Sequence, residues 1–167
     1  DINGLANYNA IVNLYNKGIF KENEKFNPYN KTTRYQFSLM LYRALDLEVP
    51  ATTDFKDIAK LDAEAQSAIK ALNKLGVING VNKETFAPYN NITRAQTAKM
   101  VYRLLESKGY QDKANATMPF SDVTATDAEL NKAAAQLNAL GIMTGSNGKL
   151  NPNAPLTRDQ MSKVLNN

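Results

Sequence analysis

Cysteine and histidine are both missing from the 167 residues. Their absence removes Cys/His zinc sites, cysteine nucleophiles, Ser-His-Asp triads and histidine acid/base work together. It leaves the compartment open, since exported and intracellular proteins alike do without cysteine. There is no apolar run long enough to span a bilayer, and no stretch reads as a signal peptide. No block of like charges reads as a nucleic-acid arm or a polybasic membrane anchor. The chain begins at Asp1 without a methionine, which reads as a mature chain or an excised fragment.

What is present describes a folded protein. Apolar residues make up 43% and charged residues 22%, a globular rather than disordered composition. The length suffices for one ordinary domain, or for a few small units that share a core. A net charge of +4 and a pI near 9.2 favour anionic partners without choosing among them.

One four-residue stretch occurs three times: Thr33-Arg34-Tyr35-Gln36, Thr93-Arg94-Ala95-Gln96 and Thr157-Arg158-Asp159-Gln160. Thr-x-x-Gln is a capping-box signature. The threonine hydroxyl accepts from the backbone N–H three residues on, and the glutamine side chain reaches back to the threonine N–H. Each copy therefore predicts the first turn of a helix. The arginine stands at the first helical position, where the macrodipole slightly disfavours a cation. Three such arginines at equivalent places predict a negatively charged ligand, to which the helix N-terminus would add backbone N–H donors.

The arginines lie 60 and 64 residues apart, and so do the prolines of Asn27-Pro28, Ala87-Pro88 and Asn151-Pro152. Three copies of one unit of about 60 residues, at 1–50, 51–115 and 116–167, fill the chain. In each, an apolar stripe at helical spacing precedes a stop glycine (Gly18, Gly76 or Gly141). The stripes are Ala10, Ile11, Leu14 and Tyr15; then Ala65, Ala68, Ile69, Leu72 and Leu75; then Leu130, Ala133, Ala134, Leu137 and Leu140. Asn23 to Lys25 read as a turn, and Leu47 to Thr53 and Gly109 to Pro119 as linkers. The pieces around Phe26-Asn27-Pro28-Tyr29, Phe86-Ala87-Pro88-Tyr89 and Leu150-Asn151-Pro152 read as short and strand-like, each leading into a capping box. The expected fold is mainly α. Three helix-loop-helix repeats pack as a pseudo-threefold trimer around a shared helical core, because a pair of short helices cannot bury an apolar face alone. A groove is expected between neighbouring copies.

The full pattern resembles the S-layer homology family. Phe55-x-Asp57, Ala68-Ile69-x-x-Leu72-x-x-x-Gly76-Val77-x-x-Gly80, Phe86-x-Pro88 and Thr93-Arg94-Ala95 follow the family motif closely. Phe120-x-Asp122, Leu137-x-x-x-Gly141-Ile142-x-x-Gly145 and Thr157-Arg158 follow it in the third copy. Ala10-Ile11-x-x-Leu14-x-x-x-Gly18-Ile19, Phe26-x-Pro28 and Thr33-Arg34 follow it in the first. The family's last glutamate is Gln36, Gln96 and Gln160 here. Its His-Trp is replaced by Leu5-Ala6, Ala63-Glu64 and Ala128-Glu129, and Glu22 stands where the other copies have Gly80 and Gly145.

The resemblance implies a pseudo-trimer that anchors an exocellular protein non-covalently to a secondary cell-wall polysaccharide of a bacterium. It implies that Arg34, Arg94 and Arg158 meet the carboxylate of a pyruvate ketal in the grooves. Thr33, Thr93 and Thr157, with Gly76, Gly80, Gly141 and Gly145, complete the expected polysaccharide-binding set. The implied location is the bacterial cell wall or S-layer, within a larger surface protein, with no cofactor, no metal, no nucleic acid and no membrane span. The rival reading is a protein–protein interaction module of a surface layer. No carboxylate pair is singled out for glycosidase work. The opening aspartates Asp1, Asp57 and Asp122 read as structural, either pairing with the arginines or capping the first helices. Tyr29 and Tyr89 read equally as sugar-stacking or as packed beside their prolines. The glycines also have a purely local reading, a helix stop and a turn with positive φ.

Overall fold

Among the described residues, six α-helices form where the capping boxes and apolar stripes predict them. They are α1 (Tyr8–Asn16), α2 (Arg34–Ala44), α3 (Ala63–Lys74), α4 (Arg94–Ser107), α5 (Ala128–Ala139) and α6 (Arg158–Leu165). The computed structural model describes residues 1–21, 25–45, 47, 53–124 and 126–166. The Glu22 departure, Asn23 of the expected turn and most of the Leu47–Thr53 linker lie outside the described residues. Among the described residues the protein is mainly helical, with isolated β-bridges and no strand. No helix among them is long and apolar enough to cross a membrane.

All three capping boxes are complete. Thr33, Thr93 and Thr157 accept from the N–H of Gln36, Gln96 and Gln160, and each glutamine side chain accepts from its threonine N–H at 3.0 Å. The first helices start differently. Asp62 and Asp127 cap α3 and α5, while α1 follows Asn7 without a side-chain cap. The opening aspartates do not cap these helices. Leu75 ends its stripe as a C-cap residue that is 41% exposed, so the apolar face of α3 closes at Leu72.

The strand-like pieces prove to be tight turns. Asn27, Ala87 and Asn151 take φ of 55°, 58° and 55°, the left-handed region rather than an extended one. The cause lies some 25 to 30 residues upstream. Asp1, Asp57 and Asp122 each accept two successive backbone N–H groups: those of Phe26 and Asn27, of Phe86 and Ala87, and of Leu150 and Asn151, all at 2.8–2.9 Å. Two adjacent N–H groups converge on one anion only if the backbone curls into a nest, which places the second residue at positive φ.

The chain divides into two compact units, residues 1–92 with 156–166, and residues 93–155. In the first, α2 packs on α3, and α6 packs on both α1 and α2. Ile11, Leu14, Phe37, Ile69, Leu72, Ile78, Phe86, Ile92, Leu156 and Met161 are its fully buried large side chains. Three of its residues, one from each sequence copy, close a ring of backbone hydrogen bonds. Thr32 N–H donates to Leu156 O (2.8 Å), Leu156 N–H to Ile92 O (2.9 Å), and Ile92 N–H to Thr32 O (2.8 Å). In the second unit α4 packs on α5, and Ala98, Ala133, Ala134 and Leu137 on these helices are fully buried. Equivalent ion pairs tie the two packed helix pairs: Arg43 to Glu64 between α2 and α3 (2.7 Å), and Arg103 to Glu129 between α4 and α5 (2.6 Å).

Candidate functional site

Each motif arginine leaves its own helix and reaches a turn held by an opening aspartate. Arg34 Nε donates to Phe86 O at 2.9 Å, Arg94 Nε to Leu150 O at 2.7 Å, and Arg158 Nε to Phe26 O at 2.8 Å. These acceptors are the residues whose N–H groups donate to Asp57, Asp122 and Asp1. Aspartate, turn and arginine therefore form one repeated assembly. It also accounts for a cation at a helix start, since the guanidinium turns away from the helix toward a carbonyl and an aromatic face. Arg34 lies over the Phe86 ring at 4.7 Å and Arg158 over Phe26 at 4.6 Å. Arg94 meets Leu150 instead, and among the described residues no aromatic ring lies under its guanidinium.

The three assemblies differ in how much of the guanidinium remains available. Arg34 is buried, at 7% exposure, and its Nη2 donates to Asn79 O at 3.1 Å. Arg94 and Arg158 are half-buried. Among the described residues, their Nη groups have no hydrogen-bond acceptor in the protein. Burial lowers the pKa of all three arginines; the Asp57 carboxylate opposes this at Arg34 and the Asp122 carboxylate at Arg94. An arginine pKa starts so high that the group stays charged. Burial by itself would raise the Asp122 carboxyl, but the hydrogen bonds from Leu150 and Asn151 outweigh it and hold it low.

The helix N-termini offer fewer donors than expected. Arg34 N–H donates to Asn90 O and Tyr35 N–H to Pro88 O. Arg94 and Ala95 make the same bonds to Ala154 O and Pro152 O, and Arg158 and Asp159 to Asn30 O and Pro28 O. The third amide of each helix donates to the cap threonine. The amides foreseen as ligand donors are thus already engaged, which leaves the Nη groups of Arg94 and Arg158 as the motif donors without an acceptor among the described residues.

The other expected site residues have visible local duties. Thr33, Thr93 and Thr157 serve the caps. Gly76 and Gly141 close their helices at φ of 75° and 73°. Gly80 and Gly145 lie against the rings of Phe55 and Phe120, with no room for a Cβ. A cavity of about 270 Å³, lined by Phe55, Asn73, Asn79, Gly80 and Lys83 among others, adjoins the loop whose Asn79 carbonyl holds Arg34. Tyr29 and Tyr89 are 76% and 58% exposed; the Tyr89 and Tyr35 rings meet edge-to-face, at 5.7 Å between centroids. Sequence reasoning missed the carbonyl acceptors and the role of the opening aspartates. The spacing of Asp57 and Asp122 from their prolines was the available signal.

Comparison with known proteins places the sequence among surface-layer relatives. The sequence model of the S-layer homology domain matches residues 54–98 and 119–162, the second and third copies. The Surface-layer 125 kDa protein of Lysinibacillus sphaericus is 32% identical over 173 residues, which cover 99% of this chain and 14% of that protein. S-layer protein EA1 of Bacillus anthracis is 28% identical over 160 residues, covering 93% of this chain and 18% of its own. An amylopullulanase of Thermoanaerobacterium thermosulfurigenes is 32% identical over 108 residues, covering 60% of this chain and 6% of the enzyme. The chain thus spans a small part of each of these relatives. With more than half of its residues matched by the domain model, the chain belongs to the S-layer homology domain family.

Proposed function

We propose that this chain is a non-catalytic cell-surface anchoring domain that binds an anionic, pyruvylated secondary cell-wall polysaccharide through its motif arginines. Residues 1–50 act as a third, divergent copy of the unit. They carry the same capping box, the same aspartate-held turn and the same arginine reach as the two copies matched by the family model. The observation that carries the reading is the state of Arg94 and Arg158. Each guanidinium is fixed through Nε, while its Nη groups have no acceptor among the described residues. A guanidinium held at one nitrogen presents a pre-oriented fork, which suits a carboxylate. Names among the relatives support the anchoring role: proteins named as surface-layer proteins and one named amylopullulanase are similar to this chain over a small part of their own length. Several weak sites on one chain would bind a repeating polymer with an avidity gain of roughly 10²–10⁴.

The test is co-sedimentation with purified bacterial cell walls, before and after mild-acid removal of the polysaccharide. The parent chain is expected to pellet with intact walls and stay in solution with stripped ones. Replacing Arg94 and Arg158 with Ala, with folding verified by circular dichroism, is expected to weaken wall binding at least tenfold. Unchanged pelleting of a folded Arg34/Arg94/Arg158 triple-Ala variant would sink the arginine reading. Retained binding to stripped walls would point to peptidoglycan or a protein partner.

A further inference from the structure

We propose that Tyr29 and Tyr89 form a second, uncharged carbohydrate-contact surface, on which neutral pyranose units of the wall polysaccharide stack. This rests on the polysaccharide-binding reading and adds to it the contacts made by sugars that carry no acid group.

The tripeptide Pro-Tyr-Asn occurs twice, as Pro28-Tyr29-Asn30 and Pro88-Tyr89-Asn90, while the third copy has Pro152-Asn153-Ala154. In both turns the proline is buried and the next two residues are exposed. The backbone on either side of each ring is fixed. Before it, the Asn27 and Ala87 N–H groups donate to Asp1 and Asp57, and the Pro28 and Pro88 carbonyls accept from the Asp159 and Tyr35 N–H groups. After it, the Asn30 and Asn90 carbonyls accept from the Arg158 and Arg34 N–H groups. Each tyrosine thus projects from an anchored turn seated on the start of a motif helix, at 76% and 58% exposure. Holding a large ring in water forgoes the stabilisation that its burial would give, and here this happens at equivalent places in two copies. The Tyr35 ring restrains the Tyr89 ring edge-to-face, with planes 72° apart, rather than covering it in a parallel stack. Among the described residues, neither the Tyr29 and Tyr89 hydroxyls nor the side-chain amides of Asn30 and Asn90 have a hydrogen-bond partner in the protein. A ring face takes the C–H face of a pyranose, and the phenol and amide beside it take sugar hydroxyls. Each turn offers one ring and its flanking amide, the size of one or two sugar units. That falls far short of the roughly 1,000 Å² that a stable protein interface buries.

The test is isothermal titration of the full chain with polysaccharide released from purified cell walls, at low and at high salt. Salt screens contacts between charges and spares stacking. A Tyr29→Ala/Tyr89→Ala variant is expected to bind about tenfold more weakly than the parent chain at either salt. Its circular dichroism is expected to match the parent's, since both side chains are exposed. Tyr29→Phe/Tyr89→Phe keeps both rings and is expected to bind within about twofold of the parent. Arg94→Ala/Arg158→Ala is expected to lose the salt-sensitive part of binding and keep the rest. Parent-level binding by the folded double-Ala variant would overturn the tyrosine surface and leave the polysaccharide reading intact. Equal losses in the Ala and Phe variants would also overturn it, since the hydroxyls rather than the rings would then carry the contact. A double-Ala variant that binds the polysaccharide normally but no longer pellets with whole walls would assign the rings to a wall protein instead. No binding of the parent chain to the polysaccharide at either salt would overturn the polysaccharide reading and this one with it.

Discussion

At single positions the three copies act as controls for one another. The backbone ring takes its residues from Thr32, Ile92 and Leu156, and all three are fully buried. Only Thr32 carries a hydroxyl there, and its Oγ1 has no hydrogen-bond partner. A buried, unpaired hydroxyl costs about 1–3 kcal/mol. Thr32→Val keeps the branched shape and removes the oxygen, so it is expected to raise the melting temperature by about 2–4 °C for each kcal/mol recovered. A calorimetric scan showing a lower melting temperature would refute the unsatisfied-hydroxyl account. The left-handed turn position gives a second comparison. It is Asn at 27 and 151 but Ala at 87. Both residues carry a Cβ that crowds the carbonyl there, but the short polar side chain of asparagine can hydrogen-bond locally and so tolerates this region better than alanine. Ala87→Asn is expected to stabilise the protein by about 0.5–1 kcal/mol, measured as a shift in urea midpoint at constant slope.

Between elements, packing is secured by apolar faces and by ion pairs, of which Arg43 to Glu64 is held through two nitrogens. Arg43 grips Glu64 through Nε at 2.7 Å and Nη2 at 3.0 Å, joining α2 to α3. The hydrogen bond from Arg43, with its charge and that of Lys21, lowers the Glu64 pKa to about 2, although burial opposes the shift. A carboxyl depressed in the folded state stabilises fully above its unfolded pKa. That stability is lost as pH falls through the folded value. For Glu64 the window therefore runs from the ordinary glutamate range down to about 2. The side chain is 37% exposed, so screening limits the contribution to about 1 kcal/mol. Glu64→Gln is expected to melt earlier than the parent at pH 7, with the gap closing as pH approaches 2. A gap independent of pH would mean that Glu64 contributes by packing rather than by charge.

At the scale of the molecule, the C-terminal helix is part of the first unit rather than a tail. Residues 156–166 join residues 1–92, where α6 packs on α1 and α2, and Leu156 completes the backbone ring. Deleting 156–167 would uncover Ile11 and Leu14 and leave the Thr32 N–H without its acceptor. Hydrogen exchange is expected to show lost protection across α1 and α2. Protection confined to fraying at the new C-terminus would contradict this account. The same connectivity makes the packed helix pairs cross the sequence boundaries of the copies. The second helix of the first copy packs on the first helix of the second, that of the second on the third, and that of the third on the first.

Local chemistry was legible in the residues alone. Thr-x-x-Gln started three helices because the cap is satisfied within four residues, and the period of the apolar stripes marked the faces of α1, α3 and α5. The positive φ of Gly76 and Gly141 followed from their place after a helix. Contacts spanning tens of residues were decided only by the tertiary structure. An aspartate about 25 to 30 residues away turned an apparent strand into a left-handed turn, because two adjacent amides had to converge on its carboxylate. The helix-start amides foreseen as ligand donors were taken by carbonyls of a distant turn. Three arginines that look equivalent in sequence ended with unequal numbers of available donors, because burial and nearby carbonyls depend on the fold around them.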